Sequence, residues 1–290
     1  MKQVRGNEVL ITGANGFIGS ILSKRLEEAD KFIINRFDIN DGDIASYDFS
    51  GYNVQHVCHL AARTFVPQST KEPYEFYKVN LLGTINMLEY CRKHDASMTF
   101  ISTYMYGTPL YLPIDENHPR KAHSVYNHTK FLAEEACAFY HEHFDVSVTI
   151  LRLFNVYGAG QSGDFLVPSI IHQALSGNRI EVMDLTPRRD FVYIDDVVDA
   201  ICLTIMNEGF NIYNVGSGVS FTVQDAIDNV CSAIGETIQV IEKKQPRKNE
   251  VFNVVADISK IKSELDWSPS ITFSEGIRRT VVATRKEMAK

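Results

Sequence analysis

The chain has 290 residues, a hydrophobic fraction of 44% and a formal charge of -7. That length is enough for one large or two modest cores, and the acidic balance without a basic run argues against a nucleic-acid partner. Five scattered cysteines without a CxxC pair, no apolar stretch near the ~20 residues of a membrane span, and an N-terminus without a signal-peptide layout predict a soluble cytoplasmic protein.

Apolar runs alternate with helical patterns through the first half. EVLIT (8–12), FIINRFD (32–38), VQHVCHLAA (54–62), MTFIST (98–103) and VSVTILRLF (146–154) predict buried strands. SILSKRLEEA (20–29), FYKVNLLGTINMLEYCRKH (76–94) and SVYNHTKFLAEEACAFYHEHF (124–144) predict helices between them. The alternation points to an α/β fold, a Rossmann-type doubly wound parallel sheet. Beyond about residue 155 the pattern loosens at Pro168, Gly177 and Pro187, which predicts a smaller C-terminal region.

TGANGFIG sets Gly13, Gly16 and Gly19 between the first strand and the first helix. Glycines there permit a tight turn and let a pyrophosphate approach the helix N-terminus, where N–H groups and the dipole favour negative charge. Asn15, Phe17 and Ile18 fall within the same loop and are expected cofactor contacts. Asp38 ends the second strand. An acid there can bind both ribose hydroxyls of NAD and repels the 2′-phosphate of NADP. Ile39, Asp43 and Ile44 follow as expected contacts near the adenine, although a solvated loop acid explains Asp43 nearly as well.

YNHTK puts Tyr126 four residues before Lys130, on one face of a helix. A phenol could act as acid and base on an alcohol or ketone, but its ordinary pKa of ~10 is too high for that work. A nearby ammonium would lower it, and could also reach the nicotinamide ribose. Ser102 and Thr103, at the end of MTFIST, offer hydroxyls to orient the substrate oxygen.

With these pieces in order, the sequence resembles the extended short-chain dehydrogenase/reductase family, in its NAD-dependent epimerase/dehydratase branch. The resemblance rests on TGANGFIG, Asp38, HLAA (59–62), VNLLGT (79–84), STYMYG (102–107), YNHTK, LRLFNVYG (151–158), RRDFVYIDDVV (188–198), YNVGSG (213–218) and PRKNEV leading to Asp257. It implies an NAD-binding Rossmann domain over 1–155, rejoined by a segment near 189–208, and a mainly substrate-binding domain over 156–290. A nucleotide-diphosphate sugar would bind in the cleft.

The resemblance makes Tyr126 the acid/base, Lys130 its partner and ribose anchor, and Ser102 the catalytic hydroxyl, with Thr103 its neighbour at the substrate. Leu60, Ala61 and Ala62 would pass under the cofactor. Asn80 would be a structural asparagine near the cofactor loops. Asn155 would contact substrate phosphates, Arg189 and Arg247 would clamp the diphosphate, and Glu250 would bind the nucleotide ribose. Arg188 leaves the register of the first arginine open by one residue.

The departures matter as well. Where dehydratases of this kind carry an Asp-Glu pair, this chain has Thr103 and Tyr104. A glutamate of related decarboxylases is also missing at Tyr104. The segment between Asp38 and VQHVCHLAA is short, which predicts a stunted third strand. A tyrosine that contacts the sugar in galactose-type epimerases is replaced by Val254.

Histidines such as His56, His59, His141 and His143 lack metal-ligand spacing and are expected at the surface or a cleft edge. No GxSxG elbow supports a serine hydrolase. The expectation is an NAD-dependent nucleotide-sugar epimerase, acting at C4 of a UDP-hexose and forming a homodimer by family resemblance. The alternatives are a 4-keto-sugar reductase using NAD(P)H and, as a minor reading, a non-catalytic cofactor-sensing protein.

Overall fold

The computed structural model describes residues 7–177, 179–245 and 251–289. The first elements are β1 (Glu8–Thr12), α1 (Phe17–Ala29), β2 (Ile33–Phe37), β3 (His56–His59), α2 (Val66–Lys71) and α3 (Pro73–Tyr77). A π-helical turn, Lys78–Leu82, joins α3 to α4 (Gly83–His94). Then come β4 (Ser97–Thr103), α5 (Val125–Phe144), β5 (Val148–Leu153), β6 (Asn155–Tyr157) and α6 (Leu166–Gly177). The chain continues through β7 (Arg179–Val182), β8 (Arg188–Tyr193), α7 (Ile194–Thr204), β9 (Phe210–Val215) and β10 (Ser220–Thr222). It closes with α8 (Val223–Ile234), β11 (Gln239–Glu242), α9 (Ser259–Leu265) and α10 (Phe273–Met288).

Two compact units result. The first comprises residues 1–107, 119–153 and 198–213, the second 108–118, 154–197 and 214–290. The segment that rejoins the first unit therefore starts at Val198, later than the expected 189–208. The reason is β8, which pairs with β6 and β10 in a sheet of the second unit. Residues 108–118, expected in the first domain, also cluster with the second unit.

The first unit holds a sheet of order β2-β1-β3-β4-β5-β9. The pairings from β2 through β5 are parallel. β5 is buried along its whole length, and β1 and β4 at all but their ends. This explains their unbroken apolar sequence, since each needs cover on both faces.

A doubly wound sheet commonly carries a further strand outside the second. Here β2 is the edge, and no strand lies between it and β3 among the described residues. The short connection builds an aromatic cluster instead. Phe49 packs 4.8 Å from both Phe37 and Tyr47, 5.8 Å from Tyr52 and 6.4 Å from Tyr90, measured between ring centroids. The Tyr90 hydroxyl accepts the Val54 N–H at 2.9 Å, fixing the entry to β3. Loss of one buried ring of this kind costs about 3–5 kcal/mol.

The helix expected over 76–94 is interrupted by the π turn. The extra residue lets Asn80 turn fully inward, where its amide is satisfied on both sides. Gly83 follows because a Cβ there would lie 2.8 Å from Ile44 Cγ2.

His56 and His59 correct the expectation of surface histidines, for both are buried at 1% exposure. His56 meets the Ser97 and Thr99 hydroxyls at 2.8 and 3.0 Å, and burial pushes its pKa down to about 3. It is therefore a neutral packing residue on the sheet.

The second unit is organised by two buried carboxylates. Asp190 accepts N–H bonds from Ser217, Gly218 and Ala256, which ties YNVGSG and the chain near 256 to β8. Asp196 accepts from Ser270 and Ile271, and its carbonyl takes the indole N–H of Trp267 at 3.0 Å.

Candidate active site

The glycine loop forms where β1 ends. Gly13 has φ +69°, and a Cβ on it would lie 2.8 Å from the Ala61 nitrogen. A Cβ on Gly19 would lie 2.1 Å from the Gly13 carbonyl oxygen. The loop thus needs glycine at both positions, one for conformation and closeness, one for helix-to-loop packing. Gly16 is the N-cap of α1; it offers no side-chain oxygen, and the first turn carries no acid. The N-terminal N–H groups are left for an anion. Phe17 and Ile18 open that turn half-buried, and Asn15 is exposed.

Asp38 sits beside this loop. Its Oδ2 accepts the Asn15 N–H at 2.7 Å and its Oδ1 the Ile39 N–H at 2.8 Å. Each carboxylate oxygen has a second lone pair able to accept a ribose hydroxyl. Ile39 projects into solvent at 84% exposure. The two neighbours expected near the adenine have other duties. Asp43 pairs with Lys78 and accepts the Ala45 N–H at 3.0 Å, which hold its carboxyl below the usual range. Ile44 is only 6% exposed and packs against Gly83.

Leu60, Ala61 and Ala62 leave the end of β3 half-buried, with Ala61 against Gly13. Two hydrogen-bond systems fix them. The Ala61 N–H donates to Thr12 Oγ1 at 3.2 Å, and Thr12 meets His59, which meets Thr84, at 2.8 and 3.1 Å. Asn80 accepts the Arg63 N–H at 2.8 Å and donates to the Arg63 carbonyl and to Thr129 Oγ1, each at 3.0 Å. Asn80 thereby links the loop after β3 to α5. The residues fit a dinucleotide, with a cradle that only glycine allows and a carboxylate at the ribose position.

Tyr126 stands in the first turn of α5, which Ser124 caps through the Asn127 N–H at 3.1 Å. Tyr126 is half-buried, and loss of solvent around the phenol pushes its pKa up to about 12. A hydrogen bond with the Thr103 hydroxyl works in the opposite direction. The hydroxyl against Tyr126 is therefore that of Thr103. Ser102 is 2% exposed, and its Oγ has no hydrogen-bond partner among the described residues. An unsatisfied buried hydroxyl at a strand C-terminus is costly unless something else binds there.

Lys130 is 3% exposed. Its Nζ donates to the Ile101 carbonyl at 2.7 Å and lies 4.7 Å over the Phe100 ring. Burial pulls its pKa down to about 8. The expected action of Lys130 on the phenol is not what governs Tyr126 here; burial and Thr103 do.

A feature missed from sequence lies one turn further along α5. Glu134 and Arg152 form a buried ion pair, each 2% exposed. An acid at i+4 from Lys130 was a readable signal, but that spacing ordinarily marks a surface pair. Removing one partner of a buried pair costs about 3–5 kcal/mol.

In the second unit, Asn155 is half-buried and donates to the Asp190 carbonyl at 3.1 Å. Arg189 Nη1 donates to the Arg188 and Val251 carbonyls at 2.8 and 2.7 Å. Arg188 grips Ser220 through its hydroxyl and carbonyl. Arg247 and Glu250 lie outside the described residues.

A parallel sheet with a glycine cradle, an acid directly after the second strand, and a half-buried tyrosine and buried lysine on one helix face are the features expected of a dinucleotide-dependent site. A family model described as GDP-mannose 4,6 dehydratase matches residues 22–280. The chain belongs to that family, within the NAD-dependent epimerase/dehydratase branch of the extended short-chain dehydrogenases/reductases. It is 36% identical to a putative UDP-glucose 4-epimerase of Methanocaldococcus jannaschii, over 94% of this chain and 97% of the relative. The structure of the Thermotoga maritima UDP-glucose 4-epimerase with UDP-glucose superposes with TM-score 0.91 at 28% identity, covering 97% and 99% of the two chains. The Thermus thermophilus UDP-glucose 4-epimerase with NAD gives 0.86 at 28% identity, covering 96% and 99%. Relatives named as a GDP-6-deoxy-D-mannose reductase and a dTDP-glucose 4,6-dehydratase also match.

The depressed Lys130 pKa has a thermodynamic consequence. Between its native value of about 8 and the ordinary ~10.4, the unfolded chain binds more protons than the native one, so stability rises with pH. Tyr126, raised to about 12, opposes this only above pH ~10. Melting temperatures of the wild type and Lys130→Met from pH 8 to 10 should therefore diverge in favour of the wild type. A difference that stays flat across this window would contradict a buried, depressed lysine.

Proposed function

We propose that this protein is an NAD-dependent nucleotide-sugar epimerase that inverts C4 of a UDP-hexose through a transient 4-keto sugar. The observation that carries the reading is the group formed by Tyr126, Thr103, Ser102 and Lys130 at the end of β4, in the same unit as the glycine cradle and Asp38. The first unit is assigned to the cofactor and the second to the substrate, with Asn155 and Arg189 as contacts for the diphosphate. The epimerase relatives and NAD-bound neighbours support the assignment.

NAD, when bound, supplies the hydride acceptor and then the hydride donor. Asp38 selects it, because a carboxylate accepts ribose hydroxyls and repels a 2′-phosphate. Tyr126 Oη takes the C4 hydroxyl proton and returns it after the keto sugar has turned its other face. Burial opposes the phenolate needed for the first transfer, and the Thr103 hydrogen bond works toward it. The buried Ser102 hydroxyl is placed to donate to the sugar oxygen, which would satisfy it. Lys130 retains its ammonium at neutral pH and secures the ribose. Thr103 and Tyr104 carry no carboxyl group, so the acid–base pair that an elimination of water requires is missing at these two positions.

The five cysteines are free thiols, which suits a reducing cytoplasm. No helix among the described residues is long and apolar enough to cross a membrane. Leu82 beside α4, and Phe139 and Phe144 on α5, are exposed, which supports a homodimer through these helices. A sedimentation mass of twice the chain checks this; a monomer at micromolar concentration would contradict it.

Tyr126→Phe keeps the ring and removes the proton carrier. Turnover of UDP-glucose to UDP-galactose should fall about 10²–10⁴-fold, with the protein folded and its NAD retained. Unchanged turnover in this variant would end the assignment of Tyr126.

A further inference from the structure

Tyr126, Lys130 and Glu134 follow one another at four-residue intervals on α5 and share one face. The first two belong to the proposed chemistry; the third does not, yet it is as deeply buried as Lys130. Its carboxylate faces Arg152. Nε lies 3.1 Å from both carboxylate oxygens, and Nη2 lies 2.7 Å from Oε2. Arg152 Nη1 donates to the Tyr106 hydroxyl at 3.0 Å. Arg120, just before α5, adds a 3.2 Å bond to Oε2.

The position of Arg152 is informative. In the β4–β5 ladder it is the register partner of Ser102. From β5, one guanidinium therefore reaches both the helix that carries Tyr126 and the segment that follows Ser102 and Thr103. A buried ion pair gives little net stability, since apolar side chains would hold the helix on the sheet as well. Its distinctive contribution is direction, because a forked guanidinium–carboxylate contact tolerates little sliding. Proton and hydride transfer reward such fixation; a displacement of about 1 Å can cost about 10²-fold in rate.

We propose that Glu134 and Arg152, with Tyr106 as third member, are positioning residues that set the height of α5 against β4 and β5 and so hold Tyr126 in line with the hydroxyls of Ser102 and Thr103. This rests on the epimerase reading above. A second effect follows from charge. The titratable groups around Lys130 include Tyr126, Cys137 and Glu134 on its own helix and His59 on β3; Cys137 and then Glu134 hold the lysine pKa up against burial. Arg152 in turn balances Glu134.

The test uses the full chain with its NAD, in three variants. Glu134→Gln keeps the shape and removes the charge. It should lower kcat about 10–100-fold, with KM for UDP-glucose and NAD content within about twofold of wild type. The alkaline limb of its kcat profile should move to lower pH, because Lys130 loses its ammonium earlier; a purely packing role would not move that limb. Tyr106→Phe removes a single bond and should lower kcat about fivefold. A folded Glu134→Gln with wild-type kcat and pH profile would overturn the proposal. Should Glu134→Gln fail to fold, Tyr106→Phe decides, and unchanged kcat there would overturn it. Tyr126→Phe separates the two claims. If it stays active, the epimerase reading fails; if it is inactive while Glu134→Gln behaves as wild type, only the positioning role fails.

Discussion

A lysine buried to 3% exposure is the constraint around which the first unit is arranged. An ammonium without water must be met by dipoles or charge. Lys130 is met by the Ile101 carbonyl and the face of Phe100, both supplied by β4. Further compensation comes from Cys137 and Glu134 on the same helix, of which Glu134, one turn along, carries the carboxylate. That acid is itself buried and needs Arg152 from β5. The cost of hiding one charge thus orders a helix and two strands. The same helix is tied to the loop after β3 by Asn80, through Thr129 and Arg63. The helix that carries Tyr126 and Lys130 and the loop after β3 are linked by polar contacts rather than by apolar packing alone.

Local patterns made much of this legible in sequence. β1 spans the expected EVLIT, and α5 begins within one residue of the expected start. Both carry strong periodic signals, and α5 has Ser124 as its cap. The tight turn at Gly13 and the close packing at Gly19 were readable because glycines between a strand and a helix carry a local signal.

What was not legible depended on tertiary compensation. The π turn at Lys78–Leu82 has no local signature; it exists because Asn80 has partners on a loop and on another helix. A shortened strand was anticipated between Asp38 and VQHVCHLAA and none lies there among the described residues, but no periodicity could show that Phe49 and its neighbours fill the space. Helical spacing put Tyr126 and Lys130 on one face and suggested that the lysine tunes the phenol. The structure turns the ammonium toward Ile101 and puts Thr103 against the phenol. His56 and His59 were misjudged because neutral imidazoles paired with hydroxyls pack well in a core, and that pairing lies on other strands and helices.

An epimerase of this kind must keep its NAD and regenerate it in each turnover. The direct measurement is mass spectrometry of the nucleotide released on denaturing the purified protein, beside its turnover of a UDP-hexose with nothing added. The account predicts about one NAD per chain and interconversion of UDP-glucose and UDP-galactose without added cofactor. Protein that releases no NAD, and that acts on a 4-keto sugar only when NADH or NADPH is supplied, would contradict it and mark a reductase.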